Sequence, residues 1–319
     1  MAGTGTHVAV VGAGSVGTTI AYTCLLRGLA DRLSIYDIAA EKTEAEVLDL
    51  RHGLEFVPSA SVQGGADVTV CRDADIDVVT AGAKQKPGQS RLDLAATNAN
   101  ICRSMIPQLV EVAPDAVILI VSNPVDVLTA VAIEVAGLPP GRVFGSGTVL
   151  DSSRLRVLLA HRCGVAVPNV HAHIVGEHGD SELALWSGAT IGGIAIHDWV
   201  GADGDVVTNA VRESLVDEVR RAAQRIIAGK GSTNWAVGLA IARIIDAVLH
   251  DSHRVLPVSA PMGGFAGISG SVCLSVPRIV GRAGVSAPLP THIDASERAG
   301  LTASANAVGE VLESVSADA

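Results

Sequence analysis

The chain has 319 residues, 48% apolar and 18% charged, enough apolar material for two buried cores and too much for a disordered chain. Its 33 acidic against 23 basic residues give a net charge of −10, and aromatic residues are only 3%, so both the electrostatic and the stacking routes to nucleic acid are excluded. Five widely spaced cysteines with no C-x-x-C pair signal neither a disulfide framework nor a zinc site, and no metal is expected. No apolar run reaches the roughly 18 residues that span a bilayer, and no basic-then-apolar leader opens the chain. No membrane partner is therefore expected, and a cytoplasmic location is.

In chain order, a β-branched strand over His7 to Val11 ends in Gly12-Ala13-Gly14-Ser15-Val16-Gly17 and is followed by a helix over Thr18 to Arg27 that stops at Gly28. A second strand, Leu33 to Tyr36, closes on Asp37, and a helix runs from Ala39 to Leu50. Further strand-like runs lie at Val68 to Val70, Val78 to Ala81 and Val117 to Val121, with helical stretches between them. This alternation predicts an α/β fold with a Rossmann-type doubly wound parallel sheet. After Pro139-Pro140-Gly141 the texture changes: a strand at Val143 to Gly145, a helix over Asp151 to Cys163, then period-2 patterning around His171 to Val175. A helix from Val206 to Ala228 breaks at Gly229, another runs from Trp235 to Leu249, an antiparallel meander spans Val255 to Val285, and Leu301 to Val315 closes the chain as a helix. The expected organisation is a nucleotide-binding domain over 1–145 and an α+β catalytic domain with antiparallel strands over 146–319.

The glycine loop has the context that gives G-x-G-x-x-G its meaning: a strand before it, a helix after it, and an acidic residue at the next strand's end, 20 residues beyond Gly17. Gly12, Gly14 and Gly17 let backbone N–H groups approach a pyrophosphate at a positive helix end, with Val16 inside the same turn. Asp37 accepts hydrogen bonds from ribose hydroxyls and repels a 2′-phosphate, so the cofactor expected is NAD rather than NADP.

Three further segments concentrate unusual polar residues: Gln85-Lys86-Pro87-Gly88-Gln89-Ser90-Arg91, Asp151-Ser152-Ser153-Arg154 and Gly176-Glu177-His178-Gly179-Asp180. With Val121-Ser122-Asn123-Pro124, Lys230-Gly231-Ser232-Thr233 and Leu274-Ser275-Val276-Pro277, in this order and spacing, the chain resembles the L-lactate/L-malate dehydrogenase family over essentially its whole length. The resemblance implies His178 as proton donor and acceptor, Asp151 as the carboxylate that orients it, and Arg154 as a bidentate fork for the substrate carboxylate. It further implies Arg91 on a closing loop, Asn123 at the substrate oxygen, Thr233 lining the pocket, and Ser122 with Asn123 beside the cofactor.

Within that family the position of Gln85 separates substrates. An Arg there meets the second carboxylate of oxaloacetate, whereas neutral Gln suits the methyl group of pyruvate, so interconversion of pyruvate and L-lactate is expected. Lys84 and Lys86 flank it, and L-malate or a longer 2-hydroxy acid of the hydroxyisocaproate kind remain the alternatives. Outside the enzymes, an NAD-binding sensor is disfavoured by retention of His178, Asp151 and Arg154. Arg156, about 200° around the helix from Arg154, and His171 match positions that bind fructose bisphosphate in the allosteric bacterial members, which implies an effector site and a homotetramer.

Overall fold

Strands β1 (His7–Val11), β2 (Arg32–Tyr36), β3 (Ser61–Gly65), β4 (Ile76–Val79), β5 (Val117–Ile120) and β6 (Val143–Gly145) pair in parallel in the order β3-β2-β1-β4-β5-β6. The computed structural model describes residues 5–83, 91–202 and 204–317, the side chains of 91 and 317 excepted. β12 (Arg254–Pro261), β13 (Cys273–Gly281) and β14 (Gly284–Val285) extend this sheet as an antiparallel meander, so among the described residues it has nine strands. The meander joins at Ser259 opposite Gly145.

Both faces of the sheet are covered, and the side chains alternate accordingly. Ala9 and Val11 of β1 enter one core, with α3 (Arg91–Val112), α4 (Val125–Ala136) and α8 (Ala295–Ala317). Val8 and Val10 enter the other, with α1 (Ser15–Arg27) and α7 (Trp235–Leu249). The helix α2 (Ala40–His52) lies against β3. A third core joins α5 (Val149–Arg162) and α6 (Asn209–Lys230) to small antiparallel pieces. In these, β7 (Val170–His171) pairs with β10 (Thr190–Ile191), which also pairs with β11 (Ile194–Ala195), while β8 (Ile174–Val175) pairs with β9 (Leu183–Ala184).

Four sequence expectations need correction. Val68 to Val70 is not a strand: Val68–Cys71 winds as a 3-10 turn capped by Asp67, whose side chain accepts the Thr69 N–H. The strand is the more polar Ser61–Gly65, whose edge position leaves only Val62 fully buried. The helix α6 continues through Gly229 and ends at Gly231, where φ is +84°. Period-2 patterning around His171 to Val175 belongs to two short strands with different partners. Finally, α8 starts at Ala295, before Leu301, because Asp294 and Glu297 cap each other: the Glu297 N–H donates to Asp294 Oδ1 (2.8 Å) and the Asp294 N–H to Glu297 Oε2 (2.9 Å).

Candidate active site

The sheet order reverses between β1 and β4, and the carboxyl ends of strands there open onto a cleft of about 1120 Å³. Gly12, Gly14, Val16, Asp37, Ser122 and Asn123 all line it. Gly12 has φ +111°, and a Cβ on it would lie 2.7 Å from Thr80 Oγ1. Gly17 sits beneath the loop, where a Cβ would fall 1.9 Å from the Gly12 carbonyl oxygen, so its smallness serves the packing of α1 on β1. The Cβ position of Gly14 has open space around it at the mouth of α1, the approach a pyrophosphate needs. At the tip of β2, Asp37 Oδ2 accepts the Ala13 N–H (2.7 Å) and Oδ1 the Ala39 N–H (3.0 Å), which fixes its carboxylate on the cleft wall. The cradle and the acceptor fit a dinucleotide.

Around the corner, helix α5 places Asp151 and Arg154 one turn apart on one face, and Asp151 is buried. His178 Nδ1–H donates to Asp151 Oδ2 at 2.7 Å, and Arg154 donates to the other oxygen, Oδ1. One carboxylate therefore orients both cations. The two cations hold the Asp151 carboxyl below its ordinary value against the opposing effect of burial. The Asp151 charge, outweighing burial, raises His178 to about 9. The His178 side chain keeps 28% exposure, so the protonated ring has an open side from which a proton can reach a bound ketone.

Three residues that sequence reading passed over complete the cluster. Asp126, in the first turn of α4, is buried and accepts the His178 backbone N–H at Oδ2 (2.7 Å) and the Ser259 hydroxyl at Oδ1 (2.5 Å). It thus ties the loop carrying His178 to α4 and β12. Burial raises Asp126 to about 6, with the Ser259 and His178 hydrogen bonds pulling in the opposite direction. Glu182, just before β9, brings a carboxylate oxygen within 4.8 Å of ligand atoms of Asp151 and His178. Asp126 and Ser259 carried no local signal, each lying among apolar neighbours, and Glu182 lay only four residues past His178.

Other expected residues are placed as follows. Asn123 is exposed at the cleft, its carbonyl accepting from Asn98 Nδ2 (2.9 Å), and the Ser122 hydroxyl donates to the Ala81 carbonyl (2.6 Å). Thr233 is half-buried in the link between α6 and α7. Arg91 opens α3 and its side chain lies outside the described residues, as do Gln85, Lys84 and Lys86. Arg156 turns into a different cleft, of about 650 Å³, which His171 also lines. There Arg156 Nε donates to the Ala172 carbonyl (2.8 Å) and Nη2 to His173 Nδ1 (3.2 Å). Burial, then Arg156, push His173 down to about 4, so this ring accepts as a neutral base.

Comparison with known proteins matches the lactate/malate dehydrogenase NAD binding domain over residues 6–145 and the alpha/beta C-terminal domain of the same family over residues 148–318. The chain belongs to the lactate/malate dehydrogenase family. An L-lactate dehydrogenase of Bifidobacterium animalis subsp. lactis is 51% identical over 306 residues, 96% of this chain and 95% of that protein. One from Synechococcus is 45% identical over 311 residues, 96% and 98% of the two chains. The crystal structure of the minor L-lactate dehydrogenase from Enterococcus mundtii superposes with a TM-score of 0.94 at 39% identity, covering 98% of this chain and 99% of the other. As a member of this family the chain is an NAD-dependent oxidoreductase, and among the described residues no helix is long and apolar enough to cross a membrane.

The placement of Asp37 gives a cofactor test. Asp37→Ala removes charged acceptors for ribose and the repulsion of a 2′-phosphate, so the preference for NADH over NADPH, as the ratio of kcat/KM values, should fall by about tenfold to a hundredfold. An unchanged ratio would show that Asp37 does not face the ribose.

Proposed function

We propose that this chain is an NAD-dependent L-lactate dehydrogenase that reversibly reduces pyruvate to L-lactate. The observation that carries the reading is one buried carboxylate, Asp151, shared between His178 and Arg154. Arg154 holds the substrate carboxylate through its guanidinium fork, which sets the ketone beside the His178 ring. Asn123 and Arg91, the first residue of α3, donate to the carbonyl oxygen as negative charge develops there, and Thr233 lines the pocket. The Gly12–Gly17 turn, Ser122 and Asp37 would hold NADH, which when bound would supply the hydride that the carbonyl carbon takes up. His178 gives its proton to the resulting alkoxide and ends neutral; in the oxidation of lactate it takes that proton back.

Pyruvate rather than oxaloacetate is favoured by the uncharged Gln85 and by the L-lactate dehydrogenases among the similar proteins. Initial rates with NADH and a series of 2-keto acids of varied length and charge test this. Pyruvate is expected to lead, and Gln85→Arg to shift the preference toward oxaloacetate by about a hundredfold or more. Faster turnover of oxaloacetate by the unmodified enzyme would overturn the reading.

We further infer a cytoplasmic homotetramer, working where fermentation returns the hydride of glycolytic NADH to pyruvate, and responsive to fructose bisphosphate. Exposed Tyr22 and Leu26 on α1 and Trp235 and Leu239 on the adjoining α7 support self-association. For the effector, support comes from the cleft holding Arg156 and His171 together with Arg27, Arg243 and Arg254. Arg156 is lowered by burial and by the like charge of Arg243, a repulsion that a bound bisphosphate relieves. Fructose bisphosphate should lower the KM for pyruvate and raise the scattering mass, and both responses should vanish in Arg156→Ala. No response in either measurement removes the effector from the reading.

A further inference from the structure

Glu182 is a carboxyl that the proposed reaction leaves without a task, placed where a charge matters most. It is 2% exposed, and its Oε1 has no hydrogen-bond partner among the described residues. Its backbone is fixed independently of that side chain, since Arg220 Nη2 of α6 donates to its carbonyl oxygen (2.5 Å). The groups facing it are Asp151 and Arg154 from α5, His178 from the preceding loop, and Arg220 from α6. Asp151 already neutralises one of the two cations it touches. With Glu182 neutral and Asp126 ionised, the set Asp126, Asp151, Arg154, Arg220 and protonated His178 carries one net positive charge, which one substrate carboxylate cancels. With Glu182 ionised, that attraction is gone before substrate arrives.

We propose that Glu182 sets the charge of the substrate pocket: it is carried as the neutral acid when a monocarboxylate binds, and its ionisation expels that substrate. The inference deepens the lactate dehydrogenase reading and rests on it. Two carboxylates in one enclosed site do not both ionise freely, and the one without hydrogen-bond donors keeps its proton. Asp151 has both donors and Glu182 Oε1 has none. Burial and the nearby Asp151 charge raise Glu182 well above the usual carboxylate range, against the pull of His178, Arg154 and Arg220. Glu182 is thus a binding residue: its ionisation makes affinity for a monoanion fall with rising pH, in addition to the loss of the His178 proton.

The test is the pH dependence of kcat/KM for pyruvate in the presence of saturating NADH. If both Glu182 and His178 must hold protons, log(kcat/KM) falls at alkaline pH with a limiting slope of about −2 in the unmodified enzyme and about −1 in Glu182→Gln, the difference lying in KM rather than kcat. Equal slopes in the two proteins would overturn the proposal. A second measurement needs no variant: calorimetry of oxamate, an unreactive pyruvate analogue, binding to the NADH complex at pH 9.5 in two buffers of different ionisation enthalpy. Uptake of more than one proton per site is expected, and uptake of one or fewer overturns the proposal. An unmodified protein that neither reduces pyruvate nor binds oxamate would instead bring down the lactate dehydrogenase reading, and this inference with it.

Discussion

Replacing Asp151 with Asn is expected to lower kcat/KM for pyruvate by about a hundredfold to ten-thousandfold at pH 7. The amide preserves the shape and removes the charge, and the charge is the largest influence keeping His178 protonated up to about 9. Without it, burial acts on the ring unopposed by its main partner, and the imidazole titrates near or below its ordinary value of about 6.5. The contribution of His178 to the alkaline fall of pyruvate reduction therefore moves to lower pH, while lactate oxidation, which needs the neutral ring, loses its acid limb at lower pH as well. Arg154 loses its buried counter-charge in the same step and holds the substrate carboxylate less exactingly. Steady-state rates in both directions from pH 5.5 to 10 read all of this. A variant whose pH limbs coincide with those of the parent would show that Asp151 does not control the proton.

The second large effect concerns stability and lies within the sheet, at a residue that does not line the nucleotide cleft. Asp77 sits in the middle of β4, between Ala9 of β1 and Ile118 of β5, fully buried, and neither of its carboxylate oxygens has a hydrogen-bond partner among the described residues. Burial drives its ionisation far above the ordinary carboxylate value. The folded chain thus retains a proton that the unfolded chain releases near pH 4, and stability falls by about 1.4 kcal/mol for each pH unit between the two values. Asp77→Val supplies a β-branched side chain of similar size at a strand position, and should stabilise the protein by about 3–5 kcal/mol at pH 8. The gain should shrink as the pH falls toward 4, by about 1.4 kcal/mol for each unit over which only the folded chain holds the proton. Asp77→Asn should remove the pH slope while leaving a buried polar group unsatisfied. Urea titrations at pH 4, 6 and 8 separate these outcomes, and equal stability of the parent and the Val variant at pH 8 would show that the carboxyl is satisfied in solution.

What the sequence disclosed follows from how local each signal is. The unit from β1 through α1 to Asp37 was readable because turn, helix start and acidic tip depend on residues within thirty positions of one another. Asp151 and Arg154 were readable as a pair because helical spacing alone brings them to one face. Val68 to Val70 misled because a Val-Thr-Val run fits a 3-10 turn as well as it fits a strand, while the true edge strand had little to bury. The start of α8 was announced by Asp294 and Glu297, a capping pair three residues apart that periodicity alone does not weigh. Asp126 and Glu182 were beyond reach for a different reason. What distinguishes an important carboxylate from a surface one is what the rest of the chain folds around it, and Ser259 lies 133 residues from Asp126.

The nine-stranded sheet runs without interruption from the nucleotide cleft into the antiparallel meander, crossing from β6 to β12 at Ser259 and Gly145, and the Asp126–Ser259 hydrogen bond rivets the same seam. Among the described residues, a sheet stitched in this way has no hinge on which its two halves could swing like a clamshell. Whatever shuts water out during turnover must be a small local movement against a stationary frame, so ligand binding should leave the radius of gyration of each subunit essentially unchanged.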